Sequence, residues 1–382
     1  MNVTTTKDGT PPHGTVPDGT VPDGTVPVLE AADITKHFRV RVGRFGRGTV
    51  HAAENISLTL YPGTVTAVVG ESGSGKSTLT RMLARTHKLT SGKLYFQGAE
   101  VDLSKAASQN YRSVVQLVLQ DPFASLNPAH DVRYILGRPL ILHGKTGGDL
   151  RETILGLLRR VALEPAEQFI DSYPHELSGG QRQRVSIARA LAVQPKVLIA
   201  DEPVSMLDVS IRLGVLNLLA DLRDSERLAI LYVTHDIASA RYLADRIMVM
   251  YAGQVVEFGP ADTIANAPAH PYTRLLLSAA PDPDTQEATW LGASGTPPSL
   301  VDPPTGCRFH PRCPSAMRIC PTQRPPDFDL PGAHATACWL HTPEPLTAEQ
   351  AEPLMTTAIS TDPPTAATGP AAVSGHGEAR LS

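Results

Sequence analysis

Three groups of residues in this sequence combine types and spacing that can do chemistry. The first is Gly70-Glu71-Ser72-Gly73-Ser74-Gly75-Lys76-Ser77-Thr78, which follows an apolar run ending at Val69 and leads into good helix formers. Its pattern, G-x-x-x-x-G-K-S/T between a strand and a helix, is that of a phosphate-binding loop. The glycines let backbone N–H groups turn inward onto phosphate oxygens, and the helix adds its positive N-terminal end. Lys76 is then expected to reach β- and γ-phosphates and the Ser77 hydroxyl to coordinate Mg²⁺. The second group, Asp201 and Glu202, ends the apolar run Val197-Leu198-Ile199-Ala200. Adjacent acids at the end of a buried strand are costly unless a cation is near. Asp201 is expected to hold Mg²⁺, directly or through water, and Glu202 to orient and deprotonate an attacking water. The third group is Cys307, Cys313, Cys320 and Cys338, all the cysteines of the chain, spaced C-x5-C-x6-C-x17-C. This is unlike the paired C-x2-C of common zinc sites. The clustering admits a 4Fe-4S cluster, which loose spacing suits, a zinc site or free thiols; disulfides do not fit a reducing compartment.

The elements that must hold these groups are legible as a pattern. The runs at 65–69, 197–200 and 228–233 are nearly all apolar, as strands covered on both faces of a parallel sheet must be. Each ends in polar residues, where such sheets bind ligands. From Leu29 onward, apolar strands alternate with Gly-bearing turns and then helices, which gives an α/β fold class. From about 123 to 185 strand signals stop and helical spacing takes over, with Ile154, Leu155, Leu157 and Leu158 on one face. A chain of 382 residues at about 100 to 200 residues per domain holds two or three units. The divisions read as a disordered leader (1–27, with the repeat GTVPDGTVPDGTVP), a main domain (28–265), a Pro-rich module with the cysteines (266–341) and a disordered tail (342–382).

Composition excludes other classes. Lys plus Arg is 34 against 38 for Asp plus Glu, a net charge of −4, so no long-range field draws the chain to nucleic acid or an anionic bilayer. No apolar run approaches the roughly 18 residues needed to span lipid. The first residues carry neither a basic start nor an apolar segment, which predicts a cytosolic protein.

A resemblance sharpens the reading. Leu177-Ser178-Gly179-Gly180-Gln181-Arg182-Gln183-Arg184 resembles the signature motif of ATP-binding cassette (ABC) ATPases. The resemblance implies a P-loop NTPase core of parallel strands, an antiparallel β-subdomain and a helical subdomain, with ATP and Mg²⁺ as ligands. It implies that Ser178, Gly179, Gly180 and Gln181 meet the γ-phosphate held by an opposite protomer. Gln120, before Asp121-Pro122, resembles the Q-loop residue that contacts Mg²⁺ or water. Ser205-Met206-Leu207-Asp208 resembles the D-loop, where the family more often has Ala at the position of Met206. Tyr232-Val233-Thr234-His235-Asp236 resembles the H-loop, with His235 touching the γ-phosphate. For the aromatic that stacks on adenine, Phe38 is the choice and Phe45 the alternative.

Three further segments, Gln120 to Pro128, Ala269-His270-Pro271-Tyr272-Thr273-Arg274 and Gly306-Cys307-Arg308-Phe309-His310-Pro311-Arg312-Cys313, are similar to the oligopeptide/dipeptide importer ATPases, whose homologues also serve nickel and some sugars. This implies a peripheral protein at the cytoplasmic face of the membrane. Its partners would be a second ATPase subunit, a copy or a homologue, two membrane permease subunits and, indirectly, an extracytoplasmic binding protein. Some members of the subfamily are thought to carry a 4Fe-4S cluster at these cysteines.

Overall fold

A computed structural model describes residues 25–42, 46–101, 111–146, 148–279 and 296–354. Its strands are β1 (Leu29–Val42), β2 (Gly46–Leu60), β3 (Val65–Val69), β4 (Ser91–Phe96), β5 (Ala99–Glu100), β6 (Val115–Val118), β7 (Val197–Asp201), β8 (Ala229–Thr234), β9 (Arg246–Tyr251), β10 (Gln254–Pro260), β11 (Phe328–Leu330) and β12 (His334–Thr336). They form a four-stranded antiparallel sheet, β2-β1-β4-β5, and an eight-stranded sheet, β11-β12-β10-β9-β3-β8-β7-β6. In the larger sheet β6, β7, β8, β3 and β9 run parallel, so their C-terminal ends share one edge. That edge carries Val69, Asp201 and Thr234, each followed by a residue singled out above.

Side chains alternate across this sheet as strand periodicity requires. Val65, Ala67, Val69, Leu198, Ala200, Ile230 and Tyr232 face one core, shared with the helical region. Val68, Val197, Ile199, Ala229, Leu231 and Val233 face the other, shared with Ile34, Ile56 and Leu58 of the antiparallel sheet. With both faces covered, β3, β7 and β8 are buried at every residue.

The helices used below are α1 (Lys76–Leu83), α2 (Pro122–Ser125), α3 (Val132–Leu142), α4 (Leu150–Arg160), α5 (Ala166–Phe169), α6 (Gly179–Leu191), α7 (Val209–Glu226), α8 (Ile237–Leu243), α9 (Ala261–Asn266), α10 (Pro271–Ser278) and α11 (Ala348–Ala351). The run from α2 to α6 is helical because each of its longer helices has its own cap. Asp121, Asp131 and Asp149 accept from the first-turn N–H groups of α2, α3 and α4, and Ser178 and Gln181 form a reciprocal capping box on α6. The buried face of α4 is Ile154, Leu155, Leu157 and Leu158. Among the described residues no helix is long and apolar enough to cross a membrane.

The C-terminal region continues the main sheet. The β11–β12 hairpin pairs with β10 through Glu257↔Thr336 and Phe258↔Ala335. Buried Glu257 accepts from the N–H groups of Ala269 (2.6 Å) and His270 (3.0 Å) and faces His334 Nε2 at 2.7 Å, fixing the start of α10. One expectation needs correction: regular structure does not stop at 341. Arg318 N–H donates to the Glu352 carbonyl, Leu354 N–H to the Ala316 carbonyl, and Thr347 with Gln350 caps α11. Backbone pairing to the cysteine segment outweighs a composition that reads as disordered. The rest of the tail (355–382), the leader up to residue 24 and Phe45 lie outside the described residues.

Candidate active site

The phosphate loop links β3 to α1. Gly75 is the α1 cap and adopts φ 104°, and a Cβ there would lie 2.5 Å from the Ala52 carbonyl oxygen. Only glycine tolerates both conditions. Lys76 Nζ folds back over the loop and donates to the carbonyls of Gly70 (2.6 Å) and Glu71 (3.0 Å). Its burial pulls the ammonium pKa down, opposed by the charges of Glu202, Asp201 and Glu71. A buried ammonium held by loop carbonyls can exchange them for phosphate oxygens, which bind it more strongly because they are charged.

Asp201 ends β7, with Thr80 Oγ1 donating to its Oδ2 at 3.1 Å. Its Oδ1 is buried without a hydrogen-bond partner. Burial raises its pKa, the Thr80 hydrogen bond opposes this and the neighbouring Glu202 charge adds to it. An underserved carboxylate beside Ser77 fits a cation held between them. Glu202 takes a left-handed backbone, φ 47°, at a cost of about 1–2 kcal/mol for a non-glycine residue. The conformation is held by its N–H on the Val233 carbonyl (2.8 Å) and by Ser205 Oγ on its own carbonyl (3.0 Å). Its Oε2 accepts from Gln120 Nε2 at 2.9 Å and faces His235 Nδ1 at 3.3 Å. The ends of β6, β7 and β8 thus bring Gln120, Glu202 and His235 together.

These groups open onto one cavity of about 740 Å³. Glu71, Ser72, Gly73, Gly75, Lys76, Ser77 and Thr78 line it with Gln120, Glu202 and His235. Gly70 and Ser74 support the loop from behind: Gly70 holds Lys76, and the Ser74 carbonyl accepts from Gly253 N–H at 2.8 Å. The structure does not bring every anticipated residue here. Phe38 packs edge-on against His87 (5.4 Å) with Lys36 Nζ 4.9 Å from its ring, outside the cavity lining. Ser178 and Gln181 cap α6, Gly179 and Gly180 open it, and Asp208 is exposed at the start of α7; none lines the cavity of its own chain.

Several site residues escaped the sequence reading. Ala52, Leu276 and Leu300 form the apolar part of the wall, and Tyr272 and Arg312 bond to Glu71. Tyr272 and Arg312 lie inside segments noted for family likeness, but no spacing rule ties them to a loop about 200 residues earlier.

The four cysteines are free and line one small pocket together with Phe309, Met317 and Trp339. Burial pushes the thiols of Cys307, Cys313 and Cys338 up to about 12, mutual repulsion among the sulfurs adds to it, and Cys320 is raised as well. Backbone N–H groups face the sulfurs: Phe309 and His310 at Cys307, Ser315 at Cys313, Met317 at Cys320 (3.4 Å) and Leu340 at Cys338. No three of these sulfurs lie within 4.8 Å of one another. That is wider than zinc's tetrahedron, whose bonds of about 2.3 Å bring sulfurs much closer. Among the described residues the group that is this tight is His37, His51 and Glu54, where Arg308 already neutralises the carboxylate.

Residues 53–205 match the ABC transporter family, and residues 256–320 match the oligopeptide/dipeptide transporter C-terminal region. The chain is 45% identical over 303 residues to the di/tripeptide transport ATP-binding protein DppF of Pseudomonas aeruginosa (strain UCBPP-PA14), covering 78% of this chain and 93% of that protein. It is 41% identical over 322 residues to the oligopeptide transport ATP-binding protein AppF of Bacillus subtilis (strain 168), covering 82% and 97%. A solved ATP-binding cassette, described as a dimer in a post-hydrolysis state bound to ADP and Pi, superposes with a TM-score of 0.54 at 30% identity, covering 61% of this chain and 98% of that one.

Proposed function

Since the chain belongs to the ATP-binding proteins of ABC transporters and carries their oligopeptide/dipeptide C-terminal region, we propose that it binds and hydrolyses ATP to drive peptide import through separate membrane subunits. The observation that carries this reading is the convergence of Lys76, Gln120, Glu202 and His235 on one cavity at the C-terminal edge of a parallel sheet. The triphosphate takes over the contacts that Lys76 now makes with its own loop. Ser77, Asp201 and Gln120 would hold Mg²⁺, which would supply neutralisation of the phosphate charge. Glu202 accepts a proton from the attacking water, and Gln120 and His235, both beside its Oε2, orient that water and the γ-phosphate.

Ser178, Gly179, Gly180 and Gln181, at the mouth of α6, serve the nucleotide of a second ATPase subunit, with Asp208 and Met206 at the seam. The support for this is that Ser178 is exposed, that none of these residues lines the chain's own cavity, and that Met206 is 55% exposed. Nucleotide does mechanical work because it binds the closed pair more tightly than the open one. Phe38 stacks on adenine after turning from His87. Phe123 and Leu119, 53% and 40% exposed beside Gln120, are the apolar contact for a cytoplasmic helix of the permease pair, which keeps the protein at the inner membrane face. An extracytoplasmic binding protein delivers the peptide; nucleic acid has no part.

Cys307, Cys313, Cys320 and Cys338 would hold a 4Fe-4S cluster; that all four line one pocket, with backbone N–H donors to the sulfurs, supports this. Such a cluster supplies cross-linking of the module rather than redox turnover. The function is tested by uptake of a labelled dipeptide into vesicles containing this chain, its membrane subunits and the binding protein. Uptake should require ATP and vanish with Lys76→Ala; uptake undiminished by that change, or export, contradicts the reading.

A further inference from the structure

The C-terminal module reaches into the phosphate loop. Glu71, second in the loop, donates its N–H to Tyr272 Oη at 2.8 Å. Its carboxylate receives both ends of the Arg312 guanidinium, Nη1 at 2.9 Å and Nη2 at 3.1 Å. The Arg312 side chain is only 10% exposed. It donates to Tyr251 Oη at 3.3 Å and lies 5.7 and 5.8 Å from the ring centres of Tyr251 and Phe309. It comes from the short 3₁₀ turn His310–Arg312, flanked by Cys307 and Cys313. Arg308, from the same segment, grips Glu54 and the Ala252 carbonyl, so the segment is fastened at two points.

The position of Glu71 makes this contact more than a fastening. Glu71 lines the cavity that takes the phosphates, and its charge acts on Lys76. An unpaired carboxylate there would repel a triphosphate and compete with it for the lysine ammonium. A two-pronged guanidinium contact cancels that charge and fixes its direction.

We infer that Arg312 is a positioning residue of the nucleotide site: by neutralising and holding Glu71 from the cysteine module, it sets the affinity of the phosphate loop for ATP. The inference rests on the nucleotide reading given above and deepens it. Arg312 acts only through Glu71, so removing the carboxylate should remove the need for the arginine.

The test is equilibrium binding of Mg-ATP to the full-length chain in a double-mutant cycle, with Lys76→Ala as reference. Arg312→Met should weaken binding about tenfold, in the range of a broken, partly buried charge pair. Adding Glu71→Gln should bring affinity back to within about twofold of the parent, a rescue that loss of packing could not give. Should Arg312→Met fold poorly by circular dichroism, Arg312→Lys, which keeps the charge and loses the fork, is read in the same cycle and should fall between parent and Met. Parental affinity in the Arg312 variants, or a loss that Glu71→Gln does not rescue, overturns the inference. If Lys76→Ala itself binds like the parent, the nucleotide reading fails instead.

Discussion

The phosphate loop and the cysteine pocket are two ways of preparing a site. In the loop, Lys76 already has partners, the carbonyls of Gly70 and Glu71, and the cavity before it is wide. Its ligand replaces contacts that exist and gives them back on leaving. In the pocket, burial and neighbouring sulfurs oppose the thiolate and push three thiols up to about 12. On the cluster proposed above, ionising four sulfurs would be offset by a cation that stays bound. On the proposed function, the loop would bind exchangeably and the pocket permanently, in keeping with the degree to which each is satisfied.

Changes confined to one site should leave the other standing, and the size of each effect measures the contrast. Largest is Glu202→Gln: kcat for ATP hydrolysis should fall about 10²- to 10⁴-fold, the usual worth of a general base, with ATP affinity retained; a parental rate would remove Glu202 from the chemistry. Next is Lys76→Ala, expected to weaken ATP binding about a hundredfold by loss of a charged hydrogen-bond donor. Its iron content, measured by inductively coupled plasma emission, should not change. Cys313→Ser is the mirror image. Iron and brown absorbance should drop to background in purified protein while ATP still binds, and unchanged iron would refute ligation by Cys313.

The smallest effect is a pH dependence. With metal stripped, the folded thiols of Cys307, Cys313 and Cys338 stay protonated up to about 12, whereas unfolded thiols ionise from about 9. The folded state therefore binds more protons between those values, and stability falls as pH rises through that window and is flat below it. Melting temperatures of stripped protein across pH 7 to 10.5 should stay level near neutral pH and fall from about pH 9 upward. A melting temperature that stays flat through pH 10.5 would mean that the thiols are not held up by burial.

How legible was this in the sequence? The loop and the acidic pair were, because backbone-mediated phosphate binding demands glycine and lysine at fixed spacing and a buried strand must deliver Asp201 and Glu202 at its end. The charged contacts Glu71–Arg312 and Glu54–Arg308 were not. Their partners are 241 and 254 residues apart, and the module returns to the loop through the continuation of the main sheet by β10–β12 and the Val50–Val301 bridge. The end of the chain misled for another reason. Residues 342–354 have a disordered composition, yet Thr347 and Gln350 form a capping box and the backbone pairs with 316–319. A T-x-x-Q pattern was the available signal. Phe38 was chosen by likeness alone, and in the structure its ring rests on His87.

The most direct test of the nucleotide site is the structure of Glu202→Gln with Mg-ATP. Lys76 Nζ should leave the carbonyls of Gly70 and Glu71 for the β- and γ-phosphates, with His235 on the terminal phosphate and Asp201 Oδ1 turned to the metal. A triphosphate bound elsewhere, with Lys76 still closed on its own loop, would contradict the account.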